Sequence, residues 1–306
     1  MHATLLAPSP FSAARTLERY RLWGEDPVNR LTDGVFRRAV HVDGRWHGYR
    51  VTWADARESA RLEVSLSGMR RARVMSAALA EVRHVFGLDL DVAAFYAVAA
   101  RDPVLADLVP ALHGLRPTLS PRPFEMLVGL VCAQQINLAF ASAMRARLAR
   151  HFGTAVDLGG ETIFAFPDAA ALAAVPVGEL RRLQFTTRKA ECIVGLAERI
   201  VSGELDLERL AACQNEEIVQ ALVAVRGFGR WTAEWFLARG LGRGDVCPAG
   251  DLAVRRAFEH FYARGRALSE DAIRRRAARW GSHQNLAVHY LLAGHRLVSS
   301  RTGGGG

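Results

Sequence analysis

The stretch V-R-G-F-G-R-W-T-A-E-W-F at residues 225–236 constrains the fold of this chain more than any other. It joins two segments of helical periodicity, about 215–225 and 231–239. The short turn between them, at about 226–229, is called the hairpin below. Gly227 and Gly229 are expected to let the backbone reverse through positive φ angles and to turn its N–H groups outward. The start of the second helix lies beside them, where the helix dipole favours an anion such as phosphate. A purely steric role for the glycines is the alternative interpretation.

Helical periodicity dominates the chain from Leu88 onward, and we predict only helices there. Asn215 is expected to cap the helix that precedes the hairpin. The polar residues 134–137, called the junction below, separate two other helices and include Gln134 and Gln135. The remaining predicted helices are 124–132, 138–152, 168–175, 177–183, 187–202, 252–264, 269–280 and 284–298.

The N-terminal residues have a different pattern. Alternating segments at 35–42 and 46–53 flank Asp43-Gly44, a dipeptide that accepts the positive φ angles of a type I′ turn. The segment 61–66 repeats the alternation, which predicts an antiparallel sheet. A helical segment then runs from Met69 to Phe86 and stops at Gly87.

These patterns predict an α+β fold with a small antiparallel-sheet domain in front of a helical core. The predicted boundaries are 1–87 for the N-terminal α+β domain, 88–302 for an all-α core with its helix-hairpin-helix at about 215–239, and 303–306 for a disordered tail.

Charge and cysteine content narrow the functional classes. The formal net charge of +9 and a pI near 10.2 favour a nucleic acid as partner, although a GC-rich genome would also enrich arginine. Lys189 is the only lysine.

The four cysteines lie singly without a CxxC, which argues against disulfides and against zinc or iron–sulfur sites. We expect buried thiols at Cys132, Cys192, Cys213 and Cys247.

The hairpin belongs to a longer pattern, L-x-x-V-x-G-F-G-x-W-T-A, which resembles the helix-hairpin-helix motif of the DNA glycosylase superfamily. Its residues are Leu222, Val225, Gly227, Phe228, Gly229, Trp231, Thr232 and Ala233. Asp251 follows Gly229 by 22 residues, where that superfamily has its catalytic aspartate. Within it, the 3-methyladenine DNA glycosylase II family is the most similar, because the helix pair at 122–141 and the N-terminal domain also resemble it.

The resemblance implies a monofunctional DNA glycosylase that hydrolyses the N-glycosidic bond of alkylated bases, of the 3-methyladenine and 7-methylguanine type, in duplex DNA for base excision repair. It also implies a core in two subdomains with the cleft between them. Asp251 would stabilise the positive charge that builds on the sugar, and would also cap the next helix. The alternatives are a glycosylase for hypoxanthine, uracil or an oxidised base, and a non-catalytic protein that binds damaged DNA.

The damaged base must leave the DNA stack to react. Trp231 and Trp235, at positions i and i+4, lie on one helix face and would stack on the flipped base, with core packing as the alternative. Tyr20 is expected to add another wall. Leu292 stands where the family often has a pocket tryptophan, and residues 280–285 replace a more aromatic stretch, so the pocket is expected to be wider.

Residues of the junction and the hairpin are expected to contact DNA. Gln135 matches the position that the family inserts into the gap left by the base, and Gln134 lies beside it; a solvated helix break is the alternative for both. The expected phosphate anchors are the N–H groups around Gly227 and Gly229 and the side chains of Arg230 and Thr232. In this family the hairpin carbonyls also hold a monovalent cation, and the matching residues are Val223, Val225 and Phe228.

No covalent catalysis is expected. Bifunctional relatives attack the sugar with a lysine just after the hairpin, but Trp231 occupies that position here. Lys189 lies 62 residues before Asp251 in another predicted helix, so water is the expected nucleophile and no cofactor is required. Arg226 replaces a proline of many relatives. The first twenty residues do not resemble a secretory leader and no 18-residue apolar stretch occurs, so we expect a cytoplasmic protein. We also expect a monomer.

Overall fold

The N-terminal region forms an antiparallel sheet, as predicted. The computed structural model describes residues 1–54, 60–67 and 72–302. The strand order is β1-β5-β4-β3-β2. Asp43 and Gly44 have φ values of 51° and 73°, so the β3–β4 turn has the expected type I′ geometry. The strands are β1 (His2–Leu6), β2 (Arg30–Thr32), β3 (Val35–Val42), β4 (Arg45–Ala54) and β5 (Arg61–Leu66).

Helices make up most of the rest of the chain. Those of the first half are α1 (Ala13–Leu17), α2 (Arg19–Leu22), α3 (Ala72–Val85), α4 (Val92–Ala99), α5 (Pro103–Ala111), α6 (Pro123–Ala133) and α7 (Leu138–Phe152). Those of the second half are α8 (Ala169–Ala173), α9 (Val177–Arg182), α10 (Thr187–Val201), α11 (Leu207–Ala211), α12 (Asn215–Val223), α13 (Arg230–Trp235), α14 (Leu252–Ala263), α15 (Glu270–Ala277) and α16 (Gln284–Thr302). A π-helical turn at Phe236–Gly240 extends α13, and a 3₁₀ segment at Ala278–His283 precedes α16.

Two details of the sequence-based prediction are wrong. The region after Leu88 was expected to be free of strands. It contains a two-stranded sheet, β6 (Thr154–Asp157) with β7 (Thr162–Ala165). These strands have only four residues each, too few for a strong periodic signal. The cap of α12 is Gln214, whose backbone N–H donates to Glu217 at 2.8 Å, and Asn215 is the first helical residue.

The β6–β7 sheet packs on the N-terminal sheet. Leu158 lies so close to Gly48 that a Cβ at position 48 would approach the Leu158 Cδ1 atom to 2.7 Å. Arg37 of β3 pairs with Glu161 at 2.6 Å. A separate apolar cluster fills the space between the N-terminal sheet and α3, and the largest cluster lies among the helices. The short sheet therefore links the two parts of the chain.

A buried ionic cluster also joins the N-terminal domain to α6 and α7. Arg38 of β3 donates to Glu125 of α6 at 2.7 Å and to Glu81 of α3 at 2.9 Å. Arg145 of α7 bonds the other oxygen of Glu125 and pairs with Asp26 at 2.7 Å. Burial alone would raise the pKa of Asp26, but Arg145 and a hydrogen bond from Asn29 lower it to about 2.

Some predictions concern other parts of the chain. The expected start of α3 at 69–71 and the expected tail at 303–306 lie outside the described residues. Cys132, Cys192 and Cys247 are buried thiols, whereas Cys213 is partly exposed. Burial raises the pKa of Cys132 to about 12. None of the helices within the described ranges is long and apolar enough to cross a membrane.

Candidate active site

A cleft of about 1680 Å³ brings residues from distant parts of the chain together. Its walls come from the N-terminal domain, from the junction, from the hairpin with α13, and from α14 and α16. The predicted site residues that line it are Tyr20, Gln134, Gln135, Gly227, Phe228, Gly229, Trp231, Thr232, Trp235, Asp251 and Leu292.

The hairpin backbone reverses at Gly227. Its φ is 91°, and a Cβ there would approach the Cys192 Sγ atom to 2.9 Å, so both conformation and space favour glycine. Gly229 has an extended φ of −133°, so the expectation of a positive φ is wrong for this glycine. A Cβ at Gly229 would meet no atom within 4 Å. The space in front of Gly229, at the N-terminus of α13, is open to a ligand.

Asp251 caps α14, as predicted, and its carboxylate is held by four donors. The Oδ1 atom accepts from the backbone N–H groups of Ala253 at 2.8 Å and Val254 at 3.1 Å. The Oδ2 atom accepts from the indole Nε1–H of Trp231 at 2.7 Å and of Trp235 at 3.1 Å. All four donors are neutral. The carboxylate is therefore fixed in direction by donors that carry no positive charge.

The two tryptophans thus have a contact that the sequence did not reveal. Both were expected to present ring faces to a base, and both direct their N–H edges to Asp251. Trp235 is 8% exposed, whereas Trp231 is partly exposed. The i, i+4 spacing places both indoles on the face of α13 that meets the N-terminus of α14.

His289 of α16 is a cleft residue that sequence reasoning missed. Its ring meets Trp235 edge to face, with centroids 5.9 Å apart. The Nδ1 atom lies 2.9 Å from the Asn285 carbonyl, so Nδ1 carries the proton of the neutral ring. Burial, with Arg19 and Arg296 nearby, lowers the pKa of His289 to about 4. Its position three residues before Leu292, on the same helix face, is the signal that could have indicated it.

The junction contacts the hairpin directly. Gln134 donates from Nε2 to the Gly227 carbonyl at 3.0 Å and lies 3.5 Å from the Thr232 Oγ1 atom. Gln135 is exposed at the cleft and has a φ of 57°, in the left-handed region. Gln134 therefore contacts the protein, whereas Gln135 is exposed at the cleft.

Several expected DNA contacts are engaged with other parts of the protein. Arg230 is half exposed and bonds Glu234 at 3.0 Å and Glu216 at 3.4 Å. It borders a shallow groove on the outer side of the hairpin, together with Val223. Thr232 is 1% exposed, so its hydroxyl is buried beneath the hairpin. The Val225 carbonyl, one of the expected cation ligands, already accepts from the Phe228 N–H at 3.0 Å.

Lys189 also lines the cleft, although the sequence placed it only in a different helix. Its Nζ donates to the Cys132 carbonyl at 2.8 Å, at the end of α6. Burial lowers the pKa of its ammonium group. Position 189 on α10 gave no signal of this contact, because the two residues are 57 positions apart.

Comparison with known proteins agrees with this geometry. Residues 128–283 match the family described as HhH-GPD superfamily base excision DNA repair protein, and residues 4–119 match the AlkA N-terminal domain. A helix-hairpin-helix beside a cleft with a capping aspartate thus defines a DNA glycosylase of base excision repair.

The relatives identify the family within that class. A DNA-3-methyladenine glycosylase of Bacillus subtilis is 32% identical over 206 residues, which are 67% of this chain and 68% of that protein. DNA-3-methyladenine glycosylase 2 of Escherichia coli is 26% identical over 86% of this chain and 87% of its own length. The solved structure of a 3-methyladenine DNA glycosylase from Archaeoglobus fulgidus has a TM-score of 0.86 and 28% identity, covering 96% of this chain and 98% of that one. The chain belongs to the 3-methyladenine DNA glycosylase II family, which confirms the resemblance.

Proposed function

We propose that this DNA glycosylase hydrolyses the N-glycosidic bond of alkylated bases in duplex DNA, with Asp251 as the catalytic carboxylate and water as the nucleophile. The observation that carries the proposal is the Asp251 carboxylate, held at the cleft by four neutral N–H donors. Because no donor neutralises it, its charge can stabilise the oxocarbenium-like transition state and orient water.

Alkylated purines suit the rest of the pocket. A cationic alkylated base is attracted to the ring face of an indole and is already a good leaving group. Trp231 and Trp235 supply indoles, Tyr20 another aromatic wall, and Leu292 a smaller side chain that leaves room. The neutral ring of His289 adds no positive charge beside them. Release of 3-methyladenine and 7-methylguanine is therefore the favoured activity over release of hypoxanthine, uracil or oxidised bases.

Duplex DNA would be held by groups on both sides of the base. Gln135 would fill the gap in the stack, and the N–H groups around Gly227 and Gly229 would bind phosphate. Arg230 would reach phosphate by exchanging its glutamate partners. The carbonyls of Val223, Val225 and Phe228 would hold a monovalent cation that screens phosphate charge. The protein would act as a monomer in the cytoplasm and need no other cofactor.

Hydrolysis without strand cleavage follows from the available nucleophiles. The single lysine is engaged with the Cys132 carbonyl, and position 231, just after the hairpin, is a tryptophan. Water would therefore attack the sugar. The product would be an intact strand with an abasic site.

A panel of single-lesion duplexes tests the proposal. The panel contains 7-methylguanine, a 3-methyladenine analogue, hypoxanthine, uracil and 8-oxoguanine, and base release is scored before and after hot alkali. We expect release of the alkylated bases and strand scission only after alkali. Release of uracil or 8-oxoguanine alone, binding without any release, or a covalent complex trapped by borohydride would each contradict the proposal. Sedimentation of the free protein tests the monomer.

A further inference from the structure

The end of helix α6 holds a contact that the proposed reaction does not use. The last carbonyls of a helix lack intrahelical partners, and a cation near them is favoured by the helix dipole. The Cys132 carbonyl, two residues before the junction, accepts from Lys189 Nζ at 2.8 Å. Lys189 comes from α10, so a charged donor from a separate helix fixes the place where α6 ends.

Helix α10 supports the hairpin at the same time. Cys192 lies one turn after Lys189 on α10, and its sulfur lies close to Gly227 of the hairpin. Gln134 closes the connection, because its Nε2 donates to the Gly227 carbonyl at 3.0 Å. The end of α6, the hairpin and α10 are thus joined through three contacts on one side of the cleft.

Gln135 follows Gln134 in the chain and lines the cleft. Its φ of 57° is in the left-handed region, which residues other than glycine adopt only at an energetic cost. Such a conformation persists when the surrounding structure holds the neighbouring backbone. Here Gln134 is bonded to the hairpin, and the α6 carbonyl before it is bonded to Lys189.

We propose that Lys189 and Gln134 are positioning residues that hold Gln135 in its left-handed conformation at the cleft and connect it rigidly to the hairpin. The inference rests on the proposed function, in which Gln135 fills the gap left by the flipped base and the hairpin binds phosphate. Binding of the hairpin to the DNA backbone then determines where Gln135 enters the base stack. Lys189 acts through the backbone of the junction and does not touch the base or the sugar.

The role of Lys189 can be tested by two substitutions at one position. Lys189→Met removes the donor and keeps an unbranched chain, whereas Lys189→Arg keeps a charged donor and removes the amine. Arg199→Met is the matched control, because Arg199 lies on the same helix in an exposed pair with Glu204. Each protein is measured for single-turnover release of 7-methylguanine, for the fluorescence rise of 2-aminopurine placed beside the lesion, and for affinity to undamaged duplex.

We expect Lys189→Met to slow base release and to lower the 2-aminopurine signal by roughly tenfold, the scale of one hydrogen bond to a charged group. Affinity for undamaged duplex, which phosphate contacts dominate, should stay within about threefold of wild type. Lys189→Arg should restore most of both losses, and Arg199→Met should resemble wild type.

Three results would overturn the inference. The first is equal release and fluorescence in Lys189→Met and wild type. The second is a loss in Lys189→Arg as large as in Lys189→Met, together with a borohydride complex in wild type alone, which would make Lys189 a nucleophile. The third is an unchanged fluorescence signal in Gln134→Ala. This variant tests the same inference independently if Lys189→Met folds poorly. If wild type releases no alkylated base at all, the proposed function itself fails, which is a separate result.

Discussion

Asp251 and Glu125 are carboxylates with similar places in the fold and different neighbours. Each lies at the N-terminal end of a helix, Asp251 as the cap of α14 and Glu125 in the first turn of α6, and both line the same cleft. Glu125 is bonded by the guanidinium groups of Arg38 and Arg145. Asp251 is bonded by neutral N–H groups, and within the described residues no cationic side chain is in ion-pair contact with it.

The difference separates a structural acid, Glu125, from the acid proposed to be catalytic, Asp251. The pKa of Glu125, which burial alone would raise, is lowered because Arg38 and Arg145 lie beside it. Its ion pairs with Arg38 and Arg145 join the N-terminal domain to α6 and α7. A guanidinium beside Asp251 would likewise neutralise the charge that the proposed reaction requires. Neutral donors fix a carboxylate without that loss, so the partners of an acidic group indicate its use.

The largest effect is expected from breaking the structural acid. Glu125→Ala leaves Arg38 and Arg145 buried beside an empty site, which should cost about 3–5 kcal/mol of unfolding free energy. Urea unfolding followed by circular dichroism measures the change. Glu179→Ala, in an exposed pair with Arg182, is the control and should change stability by less than about 0.5 kcal/mol. A loss below about 1 kcal/mol in Glu125→Ala would show that the cluster is not structural.

Asp251→Asn should reverse that pattern. Asparagine caps a helix as well as aspartate does, so the unfolding temperature should stay within error. Base release should fall by about 10²- to 10³-fold, because the charge that stabilises the transition state is gone. Affinity for abasic-site duplex should stay within a few-fold. Asp206→Asn is the control, since Asp206 caps α11 with the same two backbone bonds and does not line the cleft. Turnover near wild type in Asp251→Asn would remove the distinction between the two carboxylates.

Local patterns predicted one of these carboxylates and not the other. The hairpin, the helix that starts at Leu252 and the capping role of Asp251 all depend on residues close together in sequence, and they are confirmed. The Arg38–Glu125 pair joins residues 87 positions apart, and no local pattern indicates it. The same limit explains why Lys189 was not connected with the junction.

Side-chain direction was the other limit. Helical spacing placed Trp231 and Trp235 on one face, but only the packing of α13 against α14 directs their N–H edges to Asp251. Gln134 was expected beside the DNA, and its bond to the hairpin was not foreseen. Arg230 lies near the expected phosphate site, yet two glutamates hold it on the outer side.

Acid should weaken the structural cluster in a defined pH range. The pKa of Asp26 is about 2 in the folded protein, below the value of about 3.9 in unfolded chains. Its contribution is therefore present above about pH 4 and is lost as the pH falls toward 2, with a size on the order of 2 kcal/mol. Asp26→Asn should remove this contribution at pH 7 and make unfolding free energy less dependent on pH between 4 and 2. Glu25→Gln, in an exposed pair with Arg150, is the control and should leave the profile unchanged.

The smallest effect should come from one neutral donor of Asp251. Trp235→Phe keeps an aromatic ring in the pocket but removes the N–H that donates to the carboxylate at 3.1 Å. Three donors remain, so the carboxylate loses only part of its fixed direction. Loss of one hydrogen bond to a charged group is worth about 1.5 kcal/mol, and base release should fall by about tenfold. Trp280→Phe is the control, because Trp280 is buried against Phe258 and Tyr262 and does not line the cleft.

Release of two kinds of base by Trp235→Phe distinguishes two possible roles of Trp235. If its N–H positions Asp251, the tenfold loss should be similar for every alkylated base, since the carboxylate acts on the sugar that all of them share. If its ring face selects the base instead, the phenyl ring should lower release of cationic 7-methylguanine more than release of a neutral base, because phenylalanine attracts cations less than tryptophan does. Single-turnover rates on both lesions measure the difference. Equal losses would assign Trp235 to the reactive carboxylate, and unequal losses would assign it to the pocket.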